Sequence, residues 1–149
     1  MKQRAVKTEA EIRGLLTSRG LRYSRPRALI LSYFREDAKH VNAETLYHTL
    51  KARGNTLSLS TVYLNLGVLK EAGLVREFRG LAGELVYDSN ASLHGHLICK
   101  SCECVVDLPE EVSLGEAQQD LKLRVETVSG WQVEAPTLDL YGICPGCRK

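Results

Sequence analysis

The sequence predicts an α+β protein that begins with a winged helix-turn-helix domain and ends with a smaller, metal-stabilised domain. Apolar residues recur at helical spacing through residues 9–72, and two strand patterns then flank a glycine-containing loop at 79–83. Two Cys-x-x-Cys pairs occur after residue 98. We therefore expect a winged-helix domain over 1–87, a hinge over 88–92 and a second domain over 93–149.

Four helices are expected in the first domain. The first spans about 9–19, the second starts near Pro26, the third ends before Gly54 and the fourth ends before Gly73. Short polar side chains stand in the N-cap positions of the first, third and fourth helices: Thr8, Asn42 and Ser60. Glu11 follows Thr8 by three residues, which is the spacing of a capping box.

Strands are predicted on both sides of the hinge. Residues 74–78 and 84–87 form a hairpin, the wing, and in this fold the helix before the wing enters the major groove. The second domain is expected to contain strands at 96–99 and 105–108, a helix over 110–125, and strands at 131–134 and 137–141. The order of helices alone fits a purely structural bundle as well as a DNA-binding winged helix. The distribution of charge is needed to choose between these two interpretations.

The charge of the chain is divided between its two halves. Residues 1–85 carry 15 Lys and Arg against 8 Asp and Glu, whereas residues 86–149 carry 5 against 10. A basic half attracts phosphates, and an acidic half supplies oxygen ligands for cations. The division favours a first domain that binds nucleic acid and a second domain that binds cations.

The composition is that of an ordinary globular protein. Hydrophobic residues make up 44% and charged residues 26% of the 149 positions. The sequence shows neither a signal-peptide pattern nor the run of about eighteen apolar residues that a membrane helix needs. We expect a cytoplasmic protein without a membrane partner, and in that reducing compartment its five cysteines favour metal binding over disulfides.

The paired cysteines indicate a structural Zn(II) site. Four thiolates would complete a closed tetrahedral site, and they come from Cys99, Cys102, Cys144 and Cys147. The 41 residues between the pairs predict that the ion joins separate elements. Reduced structural cysteines or a redox pair are the alternative. Cys104 is left over, as a small packed side chain, a spare ligand or a reactive thiol.

Histidines and aspartates predict a second, regulatory metal site. His94 and His96 alternate along an extended segment, so that both imidazoles share one face. Asp88 and Asp107 lie at the ends of the flanking strands, and His40 of the first domain would complete a set of three nitrogens and two oxygens. Such a set suits Fe(II), Mn(II), Zn(II), Co(II) or Ni(II), and one ion would tie the two domains together. The alternative is that these histidines lie on the surface and bind no metal.

Five segments make the chain resemble the ferric uptake regulator superfamily over essentially its whole length. They are Arg25-Pro26-Arg27, His40-Val41-Asn42-Ala43-Glu44, Ser60-Thr61-Val62-Tyr63, His94-Gly95-His96-Leu97-Ile98-Cys99-x-x-Cys102 and Leu140-Tyr141-Gly142-Ile143-Cys144-x-x-Cys147. The resemblance implies a winged-helix domain, an α/β dimerisation domain with zinc at the paired cysteines, and a metal-dependent homodimeric repressor that is not an enzyme. Leu64 departs from the Arg or Asn of many members, and Glu103-Cys104 replaces the usual Gly after the first cysteine pair.

The resemblance is greatest to the peroxide-sensing branch of the superfamily. The regulatory ligands of that branch correspond here to His40, Asp88, His94, His96 and Asp107. This correspondence implies Fe(II) or Mn(II) as the regulatory ion. It also implies that His40 and His94 are sensitive to oxidation, because they would gain oxygen when the ferrous form meets peroxide. An iron- or manganese-uptake regulator of the same family is the alternative function.

The family likeness also implies which residues contact double-stranded DNA. Tyr63 would contact a thymine methyl or a sugar, and Arg22 a narrow minor groove, in an AT-rich palindromic operator. Ser60 and Thr61 would contact phosphates. A zinc-stabilised interaction module would explain the cysteines but not the wing or the basic half. A zinc deaminase would need a His-x-Glu motif, whereas this chain has His94-Gly95-His96.

Overall fold

The computed structural model describes residues 8–36, 40–89, 94–109, 112, 115–134 and 136–148. The chain divides into two compact units, Met1–Ala91 and Ser92–Lys149. Each unit contains both helices and strands, which confirms the predicted α+β class. Residues 90–92 of the predicted hinge lie outside the described ranges.

Four helices make up most of the part of the first unit that the structure describes. They are α1 (Glu9–Ser18), α2 (Arg25–Glu36), α3 (Ala43–Ala52) and α4 (Leu59–Glu71). Thr8 and Glu11 form the expected capping box at the start of α1. The backbone N–H of Thr45 donates to Asn42 Oδ1 at 2.8 Å, so Asn42 caps α3 as expected. None of the helices in the described ranges has the length and apolar composition that a bilayer crossing requires.

The N-cap of α4 differs from the one expected from the sequence. Ser58, and not Ser60, is the capping residue, because its Oγ accepts the backbone N–H of Thr61 at 3.1 Å. Leu59 is therefore the first helical residue, and Ser60 lies in the first turn. Serines occupy both positions, and no local pattern in the sequence distinguishes a capping serine from one inside the first turn.

Three short strands accompany these helices among the described residues of the first unit. β2 (Arg76–Arg79) and β3 (Leu85–Asp88) form the predicted hairpin, and β1 (His40–Val41) pairs with the other edge of β3. The order is β1-β3-β2, and all pairs are antiparallel. The sequence did not predict β1, because two residues are too few to show an alternating pattern. This pairing makes His40 part of the sheet that carries the wing.

One face of α4 is buried in the hydrophobic core of the first unit. The largest fully buried apolar side chains are Leu16, Ile30, Leu31, Leu46, Leu66, Leu69 and Leu74. Burial of a side chain of this size contributes about 1.5–3 kcal/mol. Because Leu66 and Leu69 lie in this core, Tyr63 and Leu64 are left exposed on the outer face of α4.

In its described residues, the second unit contains a three-stranded sheet and one helix. The sheet consists of β4 (His96–Cys99), β5 (Val105–Asp107) and β6 (Asp139–Gly142), with β4 in the centre. β5 runs antiparallel to β4, and β6 runs parallel to it. The helix α5 (Gly115–Ser129) has no buried residue, although the structure describes every one of its positions.

Two predicted elements of the second unit were wrong in detail. The helix expected over 110–125 is α5, which ends only where Gly130 adopts a φ of +72°. Residues 131–134 form no strand. The backbone N–H of Val133 instead donates to the side chain of Glu126 in α5, with its Oε1 at 2.8 Å.

Candidate metal centres and nucleic-acid interface

The second unit gathers cysteines at one end of its sheet. Cys99 is the last residue of β4 and pairs in register with Gly142, the last residue of the parallel strand β6. The segments that follow both strands therefore leave the sheet side by side. As a result, the sulfur atoms of Cys102 and Cys144 lie 3.8 Å apart. The parallel pairing thus brings together two Cys-x-x-Cys motifs that are distant in the sequence.

All five cysteines belong to this thiol cluster. The Sγ atoms of Cys99, Cys102, Cys104 and Cys144 lie within 4.8 Å of one another. Cys147 lies on the turn that follows Cys144, and its backbone N–H donates to the oxygen of Cys144 at 3.0 Å. Cys104 is exposed, so its interpretation as a small packed side chain was wrong. The structure therefore places Cys104 beside three of the four cysteines for which zinc was predicted, Cys99, Cys102 and Cys144.

Backbone donors surround the sulfur of Cys99. The N–H groups of Cys102, Cys144 and Ser101 lower the pKa of the Cys99 thiol from 9.0 to about 6. Two of these donors lie 3.3 Å (Cys144) and 3.4 Å (Ser101) from the sulfur. The N–H of Cys104 lowers the pKa of Cys102 in the same way. Because Zn(II) binds thiolates rather than thiols, these donors favour the zinc-binding form of Cys99 and Cys102.

The first unit pairs an imidazole with a buried carboxylate. His40 and Asp88 are direct partners in the register of β1 and β3, and His40 Nε2 lies 3.4 Å from Asp88 Oδ2. The Asp88 side chain is 1% exposed and the His40 side chain 10%. A carboxylate buried this deeply requires a cationic or hydrogen-bonding partner. The pair offers one nitrogen and one oxygen ligand to a cation.

The second unit brings two imidazoles and one carboxylate together. His94 Nε2 lies 3.0 Å from Asp107 Oδ1, and His96 Nε2 lies 4.0 Å from the same oxygen. The two imidazole rings meet edge to face, with their centroids 4.6 Å apart. His96 and Asp107 are register partners in β4 and β5, so strand pairing sets this arrangement. The three side chains offer two nitrogens and one oxygen.

Asp139 is a partner of His96 that sequence analysis missed. It is the first residue of β6 and pairs in register with His96, and its Oδ1 lies 3.0 Å from His96 Nδ1. If Nδ1 is the donor, Nε2 carries the lone pair on the side of the ring that faces Asp107. The sequence does show that Asp139 is an aspartate within an apolar strand pattern. That its partner is His96 follows only from the parallel register of β4 and β6.

Gly95, between the two histidines, allows β6 to approach β4. A Cβ atom at this position would lie 2.7 Å from the backbone oxygen of Leu138. The same oxygen accepts the backbone N–H of His96 at 3.1 Å. A side chain at position 95 would therefore displace the strand that carries Asp139.

Hydroxyl groups lie at the start of α4. The Oγ of Ser58 is 3.1 Å from the Oγ of Ser60 and 2.8 Å from the Oγ1 of Thr61. Helix N-termini with exposed donors are suited to phosphate oxygens. The structure thus brings together the two residues for which phosphate contacts were predicted and adds Ser58, which was missed because Ser60 was taken as the cap.

Tyr63 and Leu64 follow on the exposed face of α4. Their side chains are 41% and 69% exposed, respectively. The Tyr63 hydroxyl donates to Glu44 Oε1 of α3, and this bond lowers the pKa of Glu44 and raises that of Tyr63. Glu44 belongs to one of the family-like motifs, but the sequence predicted no role for it.

Arg22 is exposed in the segment between α1 and α2, where its backbone oxygen accepts a hydrogen bond from the Arg27 side chain at 2.8 Å.

A wing preceded by a helix with exposed hydroxyls, in a chain that also groups thiols and imidazoles, defines a metal-responsive DNA-binding regulator. The family model of the ferric uptake regulators matches residues 18–141. The chain therefore belongs to the ferric uptake regulator family, which confirms the resemblance inferred from its motifs. This family consists of transcription regulators rather than enzymes.

Relatives cover nearly the whole chain. The peroxide operon regulator of Bacillus subtilis is 33% identical over 134 residues, which are 90% of this chain and 89% of that protein. The ferric uptake regulation protein of Synechococcus elongatus is 30% identical over 146 residues, which are 95% of this chain and 96% of that protein. The solved structure of the ferric uptake regulator from Francisella tularensis with iron has a TM-score of 0.71 at 26% identity, and covers 87% of this chain and 96% of that chain. Peroxide regulators and ferric uptake regulators are thus both among its relatives.

Proposed function

We propose that the chain is a homodimeric repressor whose DNA affinity depends on a divalent cation bound by His40, Asp88, His94, His96 and Asp107. The observation that carries this proposal is the buried His40–Asp88 pair, in which strand pairing brings two metal-binding side chains together. With the three side chains of the second unit, the pair would supply three nitrogens and two oxygens. Because the ligands come from both units, the bound ion would couple the orientation of one unit to that of the other.

A shared cation can act as a switch. If the site is complete in only one arrangement of the two units, cation binding stabilises that arrangement. Raising the DNA-competent fraction from about 1% to about 99% requires a difference in cation affinity of about 5.5 kcal/mol. Structural zinc sites contribute about 10–16 kcal/mol in model peptides. If the inactive arrangement lacks some of the five ligands, its cation affinity can therefore be lower by the required amount of about 5.5 kcal/mol.

Fe(II) and Mn(II) are the ions that we propose for this site. Imidazole nitrogens and carboxylate oxygens together suit these ions, and the lack of a thiolate ligand disfavours copper(I). The related regulator of Francisella tularensis was solved with iron. That relative supports iron as one of the two proposed ions.

We assign a structural Zn(II) to Cys99, Cys102, Cys144 and Cys147. The backbone donors on the Cys99 sulfur and the 3.8 Å separation of Cys102 and Cys144 support this assignment. Among the described residues of the second unit, only Ile98 and Cys99 are buried apolar side chains. A core this small supplies little folding free energy, so the ion would provide much of it.

A second copy of the chain would cover the apolar surface of the second unit. Its large exposed apolar side chains include Leu121, Leu123, Val125, Val128, Trp131, Leu140, Tyr141 and Ile143. Apolar groups in this number on one small unit mark an interface. We propose a homodimer because two copies of α4 would match the two half-sites of a palindrome.

The DNA interface that we propose is the exposed face of α4. Tyr63 would contact a thymine methyl or a sugar, and Arg22 a narrow minor groove, in an AT-rich palindromic operator. Ser60 and Thr61 would contact phosphates, which the excess of Lys and Arg in residues 1–85 would also attract. We propose the cytoplasm as the compartment, because chromosomal DNA and reduced thiols are both present there.

Hydrogen peroxide is the signal that we propose for release of the repressor. Ferrous iron, when bound, supplies the electrons that reduce peroxide and so generates an oxidant beside its ligands. His40 and His94 would each be positioned to gain one oxygen atom, after which the imidazole is a poorer ligand. The 33% sequence identity to the peroxide operon regulator of Bacillus subtilis supports this signal.

A Mn(II) titration tests the cation dependence of DNA binding. The probe is a labelled duplex selected with the wild-type protein from a random-sequence library, and binding is followed by fluorescence anisotropy. Wild type and His48→Ala, which changes an exposed histidine of α3, should bind about 5–150-fold more tightly with Mn(II). His40→Ala should not respond. An affinity of the wild-type protein that Mn(II) leaves unchanged would overturn the proposal.

An iron- or manganese-uptake regulator without peroxide sensing is the second candidate, and the Synechococcus elongatus relative favours it. Peroxide treatment of the anaerobic Fe(II) form, followed by mass spectrometry, separates the two. A peroxide sensor gains one oxygen on the peptide with His40 or His94 and leaves the DNA. The Mn(II) form should remain unmodified. An Fe(II) form that stays unmodified and on DNA would identify the uptake regulator.

A further inference from the structure

The thiol cluster has five thiols for the four positions of a tetrahedral zinc site. The Sγ of Cys104 lies within 4.8 Å of the Sγ atoms of Cys99, Cys102 and Cys144. Cys147, the fourth cysteine of the proposed site, lies on the turn after Cys144, where its backbone N–H donates to the oxygen of Cys144 at 3.0 Å. Cys99, Cys102 and Cys144 would fill three positions of a tetrahedral site, so Cys104 and Cys147 are two candidates for the fourth.

The turn after Cys102 holds Cys104 at the cluster. The backbone N–H of Cys99 donates to the oxygen of Cys104 at 3.0 Å, and the N–H of Glu103 donates to the oxygen of Cys99 at 2.9 Å. Glu103 has a φ of +61°, in the left-handed region that glycine favours, and so reverses the chain sharply. Cys104 therefore reaches the other sulfurs with its backbone already hydrogen-bonded in this position.

We infer that Cys104 is an alternative zinc ligand that can take the position of Cys147. The inference rests on the proposed zinc site. In the exchange, a Zn–S bond to Cys104 forms and the Zn–S bond to Cys147 breaks, while the proton of the incoming thiol passes to the outgoing thiolate. Zinc keeps four thiolates before and after the exchange. One thiol per chain is then free, and it is Cys104 in some molecules and Cys147 in others.

Serine variants test whether Cys104 is a zinc ligand or only lies near the ion. We expect Cys147→Ser to retain about one zinc per chain, because Cys104 occupies the open position. The double variant Cys104→Ser, Cys147→Ser should bind zinc more than about tenfold more weakly than Cys147→Ser, as measured by competition with a chelator. Equal zinc affinity of these two proteins would overturn the inference. Absence of zinc from the wild-type protein would instead overturn the zinc site itself.

Alkylation of the wild-type protein tests the same inference without a variant. The zinc-loaded protein is treated briefly with iodoacetamide, and chains with one label and one bound zinc are selected by native mass spectrometry and then digested. We expect the label on Cys147 in part of these chains, because Cys104 then holds the ion. A label found on Cys104 alone would show that this thiol never enters the site and would overturn the inference.

Discussion

His40 and Asp88 face each other across β1 and β3, with His40 Nε2 3.4 Å from Asp88 Oδ2. On the other side of the central strand β3, Asp88 is the register partner of Arg76 in β2. A strand of only two residues thus fixes one proposed cation ligand to the sheet that includes the wing. A displacement of His40 would therefore reach the wing through the backbone hydrogen bonds of this sheet.

The charge of Asp88 should be essential for the cation site. Asp88→Asn keeps the size of the side chain and one acceptor oxygen but removes the charge, so we expect Mn(II) affinity to fall by more than about tenfold. Isothermal titration calorimetry measures this change. The control is Asp120→Asn, an exposed position on α5. Equal Mn(II) affinity in the two variants would show that Asp88 does not bind the cation.

The carboxylate of Asp139 should orient the ring of His96. Asp139→Ala removes the acceptor 3.0 Å from Nδ1, and we expect Mn(II) affinity to fall about 10–100-fold. Asp139→Asn keeps an acceptor oxygen and should recover most of the affinity, which a loss due only to charge would not do. Binding by Asp139→Ala that matches the wild type would exclude a positioning role.

A methyl group at position 95 should destabilise the second unit. In Gly95→Ala the new Cβ would lie 2.7 Å from the backbone oxygen of Leu138, so the strands must separate at a cost of about 1–3 kcal/mol. Thermal unfolding of the zinc-loaded protein measures this effect. Gly142→Ala is the matched control on β6, because a Cβ there meets nothing within 4 Å. The prediction fails if both variants unfold at the same temperature.

Ser58 and Ser60 should have separable roles. Ser58→Ala removes the N-cap of α4 and should lower the free energy of unfolding by about 1 kcal/mol, whereas Ser60→Ala should change it by less than about 0.5 kcal/mol. Urea unfolding of both variants checks the difference. Ser60→Ala should nevertheless weaken DNA binding if its hydroxyl contacts a phosphate. Equal destabilisation by the two variants would argue against Ser58 as the sole cap.

Tyr87 should make stability fall at alkaline pH. Burial, assisted by Glu77, raises the pKa of Tyr87 from 10.0 to about 12. Between these values the unfolded chain has lost a proton that the native chain retains, so the free energy of unfolding decreases as pH rises. Tyr87→Phe should show a smaller decrease in urea unfolding over this window. Tyr141→Phe, at an exposed position, should behave as the wild type; an identical slope in all three proteins would contradict the prediction.

Local patterns were sufficient for the parts of the fold that depend on neighbouring residues. The caps Thr8 and Asn42 and the hairpin after Gly73 follow from side chains within a few positions of one another. The cysteine pairs likewise indicated zinc because Cys-x-x-Cys spacing places two thiols on one turn. These features need no knowledge of which distant segments pair.

The remaining features depend on the register between distant strands. The pairing of His96 with Asp139 joins residues 43 positions apart, and only the parallel alignment of β4 and β6 makes them neighbours. The hydrogen bond from Tyr63 to Glu44 depends in the same way on how α3 and α4 pack. The sequence left Cys104 open as a packed residue, a spare ligand or a reactive thiol, because it does not show that Glu103 turns the chain back toward the cluster.

The strand β4 carries a proposed ligand for each ion, with His96 as its first residue and Cys99 as its last. The two lie about 10 Å apart along one extended backbone. If zinc anchors the far end of this strand, the histidine at the near end keeps its alignment only while zinc is bound. A cell deprived of zinc would then also lose its response to iron or manganese, whatever the supply of those metals.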